Sequence, residues 1–364
     1  MLRGKTVGVV VPCYNEETQV GMVIESMPDF VDRIIVINDQ SKDNTKKIVE
    51  GYIGKLASAP IPPAPEIPPI SMYNQAEVAL MKREKAEWKK FPPHEVIHKI
   101  DDDKIVIIDM LKNSGKGNAV AIGYKWAKEN QIDCTAIMDG DGQMDPSELE
   151  SLCMPIVNDE VDYVKGNRLK HPESIRHIPL IRFFGNSVLS ILTKIASGYW
   201  NVSDAQTGYT AISHNALRII DVTDIYPYYG VPNDILIKLN IGNCTVREVN
   251  IKPVYRIGEQ SKMKIGTVIP KISLLLLKSF FKRLWIKYFF KDFHPLFLLY
   301  HFGFILFFAC IPFAVRIIQY LAGSHAGERP ILNSIMFMFL FVSSLQSLLF
   351  AMWMDIQNNE RLHK

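Results

Sequence analysis

The segment Thr135 to Pro146, TAIMDGDGQMDP, is where residue types and spacing speak most directly of chemistry. An apolar run delivers Asp139 to its end, Gly140 permits a sharp turn, and Asp141 and Gln143 follow at spacings of two. Three oxygen-bearing side chains are thereby gathered near one point. Mg2+ and Mn2+ take oxygen ligands and complete their shell with water and phosphate oxygens. Asp139, Asp141 and Gln143 are therefore expected to hold such a cation against a nucleotide diphosphate. Asp101, Asp102 and Asp103 supply as many carboxylates, but they precede an apolar run instead of ending one and read as a solvated turn.

Two more polar segments follow apolar runs. Pro12-Cys13-Tyr14-Asn15-Glu16-Glu17 comes after KTVGVVV, and Asn38-Asp39-Gln40-Ser41-Lys42-Asp43 after Arg33 to Ile37. Asp39 can accept hydrogen bonds from a base or ribose; these Asn, Asp and Ser residues can also cap the helices that follow. Lys112 to Asn118, KNSGKGN, places Lys116 before a helix in the manner of a P-loop. Gly117 stands where Ser or Thr would bind metal, however, and the upstream glycine is missing, so an ATPase reading fails. Asp234, in VPND, is a candidate general base for a hydroxyl acceptor, or else a cap for a helix over Ile235 to Asn240.

These groups need elements to carry them. Lys5 to Val11 reads as a first strand, which leaves no room for a signal peptide there. A helix over Glu16 to Met27, a strand over Arg33 to Ile37 and a helix from about Lys46 follow. Strand Ile105 to Ile108, helix Asn118 to Glu129 and strand Thr135 to Met138 continue the alternation. Such a pattern predicts an α/β fold, a largely parallel sheet with its functional groups at the strands' carboxyl ends. Residues 59–104, with six prolines between Pro60 and Pro69 and a charged helix over Asn74 to Lys90, read as a surface insertion, a spacer or a proline-rich partner motif.

The chain of 364 residues, 48% hydrophobic and 22% charged with a net charge of +3, has enough length for roughly two domains. Its composition excludes a disordered or collagen-like chain and a fully embedded transporter. Five widely spaced cysteines without a CxxC pair indicate neither a disulfide framework nor a zinc cluster. The charge is unevenly spread: residues 262 to 292 carry eight basic side chains against Asp292, a local +7 that leaves −4 for the rest of the +3 chain. A general nucleic-acid binder would spread its basic residues over a face.

Leu296 to Val315 and Ile331 to Met354, stretches of 20 and 24 residues without Asp, Glu, Lys or Arg before the last position's neighbour Asp355, are each long enough to cross a hydrocarbon core of about 30 Å. The short link between them implies a hairpin. The basic segment before the first helix, with Arg361 and Lys364 after the second, predicts that both ends face the cytoplasm. Thr267 to Phe290 mixes Lys and Arg with Leu, Phe and Trp, as a helix in the membrane interface does. The predicted organisation is a catalytic domain over 1–265, an amphipathic juxtamembrane segment over 266–293 and a transmembrane hairpin over 294–364.

The sequence resembles the family 2 glycosyltransferases of GT-A fold, in the polyprenyl-phosphate branch that includes dolichyl-phosphate mannose and glucose synthases. The resemblance covers about residues 5 to 265 and rests on VVPCYNEE, NDQSKDNT, NSGKGNAVAIG, MDGDGQMDP, GNRL, DAQTGYTAIS and YRIGEQSKMK. It implies a Rossmann-like, mostly parallel catalytic domain, with Pro12, Tyr14, Glu16 and Asp39 holding the nucleoside and Lys116 beside the nucleotide-sugar. Asp139, Asp141 and Gln143 would form the cation and diphosphate site. Arg168 would approach phosphate, and Asp204, Gln206 and Thr207 would lie near donor sugar and acceptor. Arg256, Ser261 and Lys262 would close over the pyrophosphate and the lipid phosphate. Asn38-Asp39 replaces the two acids of many relatives, and Gln206 to Tyr209 departs from the Ser-Gly-Phe pattern of mannose-type synthases.

The implied reaction is an inverting transfer from a nucleotide-sugar, UDP-glucose or UDP-N-acetylglucosamine before GDP-mannose, to a polyprenyl or dolichyl phosphate. Asp141, Arg168 and Asp204 would take part in catalysis. The rivals are transfer to a hydroxyl of a lipid-linked glycan, with Asp234 as base, and a nucleotide-sugar sensor without turnover. A homo-oligomer is a further possibility.

Overall fold

In the computed structural model, residues 1–56, 67–98, 103–169, 180–252, 265–323 and 330–364 are described, with backbone alone for 180–186 and 265–268. Among these residues eight strands form one sheet: β1 Val7–Cys13, β2 Arg33–Asn38, β3 His94–His98, β4 Ile105–Met110, β5 Cys134–Ile137, β6 Tyr163–Asn167, β7 Thr210–Ser213 and β8 Val246–Asn250. Their order is β3-β4-β2-β1-β5-β7-β6-β8. The pairs β4/β2, β2/β1, β1/β5 and β6/β8 are parallel, while β3 and β7 run antiparallel to their neighbours.

The central strands are apolar at nearly every position because both of their faces are covered. Val9, Val11, Ile34 and Val36 face α1 (Val20–Glu25), α2 (Thr45–Glu50) and α5 (Leu149–Val157). Val10, Ile35 and Ile37, one residue out of phase, face α4 (Lys116–Glu129), α7 (His214–Ile219) and α8 (Val231–Ile241), as the two-residue period of a strand requires. The parallel strands β1, β2, β4 and β5 end at one edge. Because β7 is antiparallel to both β5 and β6, β6 and β8 end there too, and the segment leading into β7 starts there. Topology thus brings Tyr14, Asp39, Asp139, Arg168 and the 204–209 segment to one edge.

The second half of the predicted surface insertion is stitched into this domain. Helix α3 (Gln75–Ala86) leads through a 3-10 turn to β3, which extends the sheet beyond β4. The fully buried Lys125 Nζ donates to Glu87 at 3.0 Å and to the Glu84 carbonyl at 2.6 Å, and Trp88 Nε1 donates to Glu129 at 2.7 Å. Residues 57–66, with most of the prolines, lie outside the described residues. Asp103 corrects the reading of a solvated turn: it is buried, accepting from the amides of Gly54 at 2.7 Å and Ile105 at 3.1 Å. A carboxylate can cap a turn and leave solvent when two amides replace its water.

Helix α6 (Leu180–Ser197) lies against α9 (Ile265–Trp285), which continues through a π-helical turn, Ile286–Lys291, into α10 (Pro295–Leu321). Helix α11 (Ile331–Glu360) returns antiparallel to α10. Ser344 Oγ donates to the Gly303 carbonyl and Ser347 Oγ to that of Leu299, both at 2.9 Å. At Gly303 an added Cβ would stand 2.8 Å from Leu348, so only glycine permits this closeness. Beyond α11, Leu362 enters the core of the α/β domain, and the amides of Val246 and Lys364 bond the carbonyls of Leu362 and Val246 at 2.7 and 3.1 Å. Both ends of the hairpin therefore sit at the α/β domain.

Candidate active site

The carboxyl ends of β1 and β2 are laced together. The amides of Asn15, Glu16 and Glu17 donate to Ser41 Oγ, Thr45 Oγ1 and Asp43 Oδ2 at 3.0, 2.9 and 3.1 Å, and Lys42 N returns a bond to Asn15 Oδ1 at 2.8 Å. Tyr14 and Glu16 are held half-buried on this frame. Asp39 is buried, and its two oxygens accept from the amides of Ser114 at 2.8 Å and Gly115 at 3.0 Å. Burial raises its pKa although both amides oppose the shift. Its visible work is to hold the loop before α4, in addition to any contact with a nucleoside.

That loop has little freedom. Gly115 has φ of 91°, and a Cβ on Gly117 would fall 1.9 Å from the Tyr226 carbonyl. Gly117 N donates to the Pro227 carbonyl at 2.8 Å. Lys116 is thereby aimed at Asp139, its Nζ 2.5 Å from Oδ2. The lysine that mimics a P-loop thus pairs with the acidic motif, where a bound diphosphate would compete for it.

Asp139 and Asp141 stand where the sequence places them, beyond β5. Gly140 is pressed on Cys13, with 2.5 Å from an added Cβ to Sγ, and its amide reaches the Pro12 carbonyl at 3.4 Å. Asp141 Oδ1 accepts from the Gln143 amide at 3.0 Å. Burial, then the charge of Asp139, push the Asp141 carboxyl up to about 6. Asp139 Oδ1 is buried without a hydrogen-bond partner. Two crowded carboxylates and an orphaned oxygen fit a hard divalent cation whose remaining ligands are water and phosphate oxygens. Among the described residues no three His, Cys, Asp or Glu side chains already form a cluster for a metal.

Arg168, past β6, donates to Asp204 through Nε to Oδ2 at 2.8 Å and Nη2 to Oδ1 at 3.1 Å. Asp204 is 2% exposed; burial pushes its pKa up, but the Arg168 guanidinium outweighs this and holds it low. The same carboxylate accepts from the amides of Gln206 and Thr207, each at 3.2 Å. Asp204 therefore orients Arg168 and folds the 204–207 turn. Gly208 closes the site: an added Cβ would lie 3.4 Å from Lys116 Nζ and 3.8 Å from Asp139 Oδ2. Gln206 Nε2 reaches Asn233 Oδ1 at 3.3 Å.

Two supporting residues escaped the sequence reading. Lys165 is fully buried, its Nζ donating to the Thr207 carbonyl at 2.6 Å; burial lowers its pKa to about 8 against the pull of Asp204. Glu248 accepts from the amides of Ser203 and Asp204 at 2.6 and 3.0 Å and from Asn167 Nδ2 at 2.7 Å. A lysine in the apolar strand YVKGN was the available signal. Asp234 departs from the cap reading: α8 starts at Val231, with Gly230 as its N-cap, so Asp234 lies in the first turn. Its Oδ2 accepts from Lys238 Nζ at 2.5 Å and from the Tyr226 amide at 2.9 Å. Arg256, Ser261 and Lys262 lie outside the described residues.

Comparison with known proteins places the chain in a family. The family model for glycosyl transferase family 2 matches residues 8–58 and 93–220. A UDP-N-acetylglucosamine–dolichyl-phosphate N-acetylglucosaminyltransferase of Methanococcus voltae is 29% identical over 284 residues, 78% of this chain and 96% of the relative. A dolichyl-phosphate beta-glucosyltransferase of Trichomonas vaginalis is 26% identical over 292 residues, 75% of this chain and 71% of its own. Among solved structures, glucosyl-3-phosphoglycerate synthase of Mycobacterium tuberculosis superposes with a TM-score of 0.46 at 17% identity, covering 77% of this chain and 81% of that one. The chain belongs to glycosyl transferase family 2 and is a glycosyltransferase.

Proposed function

We propose that the protein transfers a sugar from a nucleotide-sugar, UDP-N-acetylglucosamine or UDP-glucose, to the phosphate of a polyprenyl or dolichyl phosphate. The observation that carries this reading is the joining of an acidic, cation-suited donor site to a domain whose last helices are long and apolar enough to cross a bilayer. The names of the relatives from M. voltae and T. vaginalis support the acceptor class.

A phosphate monoester is largely ionised at neutral pH, its second pKa being near ~6, so the attacking oxygen needs no strong base. Asp234, the candidate base of the hydroxyl-acceptor rival, is instead occupied by Lys238 and the Tyr226 amide. Catalysis then reduces to positioning and charge. Asp139 and Asp141 would hold a Mg2+ or Mn2+ ion, whose charge would offset that of the diphosphate. Lys116 adds a cation beside Asp139, Arg168 is aimed by Asp204, and Gly208 lets the 204–207 turn approach the acidic motif. Inversion follows from a single displacement at the anomeric carbon.

The exposed basic residues Lys271, Lys278, Lys282 and Lys291 lie on the side of the hairpin that carries the catalytic domain. The positive-inside tendency therefore supports a cytoplasmic catalytic face, with α9 in the membrane interface. The test supplies purified protein with radiolabelled UDP- and GDP-sugars, Mg2+ or Mn2+, and polyprenyl phosphate. A labelled lipid that mild acid cleaves and mild base spares is the expected product. No labelled lipid with any donor would refute the proposal.

A further inference from the structure

Lys116 is held from both sides along the chain. Before it, Asp39 accepts from the amides of Ser114 and Gly115; after it, the Pro227 carbonyl accepts from the amide of Gly117 at 2.8 Å. The second hold depends on residues 225–230, which join a 3-10 turn, Val222–Asp224, to α8. This segment runs between two surfaces. On one side, an added Cβ at Gly115 would stand 2.6 Å from the Pro227 carbonyl oxygen, and one at Gly117 would stand 1.9 Å from that of Tyr226. On the other, a Cβ at Gly230 would stand 2.7 Å from Leu275 of α9.

These contacts limit how close the segment can come, but its place along the chain is set by Asp234. The carboxylate, 5% exposed, reaches back past the Gly230 N-cap from the first turn of α8 and accepts from the Tyr226 amide at 2.9 Å. Lys238, one turn further on, donates to the same oxygen at 2.5 Å and fixes its direction. Without that acceptor the Tyr226 amide can turn toward water. The Tyr226 and Pro227 carbonyls, one and two peptide units on, then lose the position from which they seat Gly117.

We propose that Asp234 is a positioning residue for the donor site: through the 225–230 segment it seats Gly117, and so aims Lys116 at the diphosphate of the nucleotide-sugar. This rests on the glycosyltransferase reading above and gives Asp234 a task other than that of a general base. Charge alone predicts the opposite effect of its loss, since deleting a carboxylate makes the surroundings of an anion site more positive. Weaker diphosphate binding is therefore a signature of geometry.

The test titrates full-length protein in detergent micelles with UDP and GDP in the presence of Mn2+, using calorimetry. Asp234→Ala should weaken the preferred diphosphate several-fold. Asp234→Asn keeps a carbonyl oxygen for the Tyr226 amide and should bind nearly as wild type does. Asp224→Ala should also bind like wild type, because it removes a carboxylate 3.8 Å from Lys238 but no bond to the Tyr226 amide. In a Lys116→Met background, the further change Asp234→Ala should cost no more affinity, because effects that pass through one residue do not add. If Asp234→Ala folds poorly with Lys238 left without its carboxylate, the pair Asp234→Ala with Lys238→Met removes both charges and carries the same expectations. Unchanged diphosphate affinity, or losses that add to that of Lys116→Met, overturn the proposal. So does an Asp234→Asn protein that binds diphosphate normally but loses turnover by orders of magnitude, as removal of a general base would. Wild-type protein that binds neither UDP nor GDP overturns the reading of the donor site as well.

Discussion

Arg283 of α9 and Asp355 of α11 meet in a two-pronged ion pair, Nη1 to Oδ1 and Nη2 to Oδ2 both at 2.8 Å, with neither side chain exposed. Tyr288 OH donates to the same carboxylate at 2.8 Å, and Asn359 links it to Lys287, which reaches Asn240 of α8. Asn240 belongs to the catalytic domain, so one polar cluster locks the base of the hairpin to the enzyme. Gly198 has φ of 76° and lies against Arg283, where a Cβ would come within 2.5 Å of Nη1.

Breaking this pair from one side strands a buried charge. Asp355→Asn or Arg283→Met should each cost about 3–5 kcal/mol. The loss would appear as a lower midpoint of thermal unfolding in detergent. Arg283→Met combined with Asp355→Leu should recover a large part of it, since no charge is then left without a partner.

The acidic motif predicts a different failure. Asp139→Asn and Asp141→Asn should fold, lose about two to three orders of magnitude in kcat, and bind a nucleotide-sugar with little response to Mn2+. Isothermal titration with and without chelator reads this directly. Wild-type turnover undiminished by chelator would remove the cation from the reaction.

Lys165 gives a pH dependence whose sign can be worked out. Its pKa is about 8 in the folded chain against 10.5 for an ordinary lysine. Between those values the unfolded chain holds a proton that the folded one has released, so this residue's contribution to stability rises with pH from about 8 to 10.5. Lys165→Met should flatten that part of the curve of unfolding free energy against pH. It should also reduce kcat through the lost hold on the Thr207 carbonyl, while Lys46→Met, on the half-buried ion pair with Asp109, serves as the control.

Gly117 tests the fit of the α4 loop. Gly117→Ala would drive a methyl into the Tyr226 carbonyl, costing about 1–3 kcal/mol as the loop moves away. Because Lys116 shifts with it, nucleotide-sugar affinity should fall together with the melting temperature. Gly54→Ala, at a glycine with open space around it, should leave nucleotide binding intact.

The legible parts of this molecule were those with a strong local period or a strong boundary. The strands through Val9 and Ile35, the acidic motif after β5 and the two long apolar helices each announce themselves within about a dozen residues. The role of Asp204 was not legible, because its partner Arg168 lies 36 positions away and nothing local says which of them faces ligand. Strand β3 escaped because HEVIH is short and half polar, as an edge strand is. Asp103 misled for the reverse reason: three acids in a row suggest water, yet the third is buried by amides brought from Gly54 and Ile105. Lys165 and Glu248 show the same limit, since a charge inside a sheet makes sense only once its neighbours from other strands are known.

Residues 362–364, which follow both apolar helices, border β8 and place Leu362 in the core. During synthesis the α/β domain emerges well before them and must wait, its final seam unsewn, until both apolar helices have been threaded and turned back. Maturation of the enzyme is thereby tied to successful insertion: a chain whose hairpin fails to return leaves its own sheet unfinished.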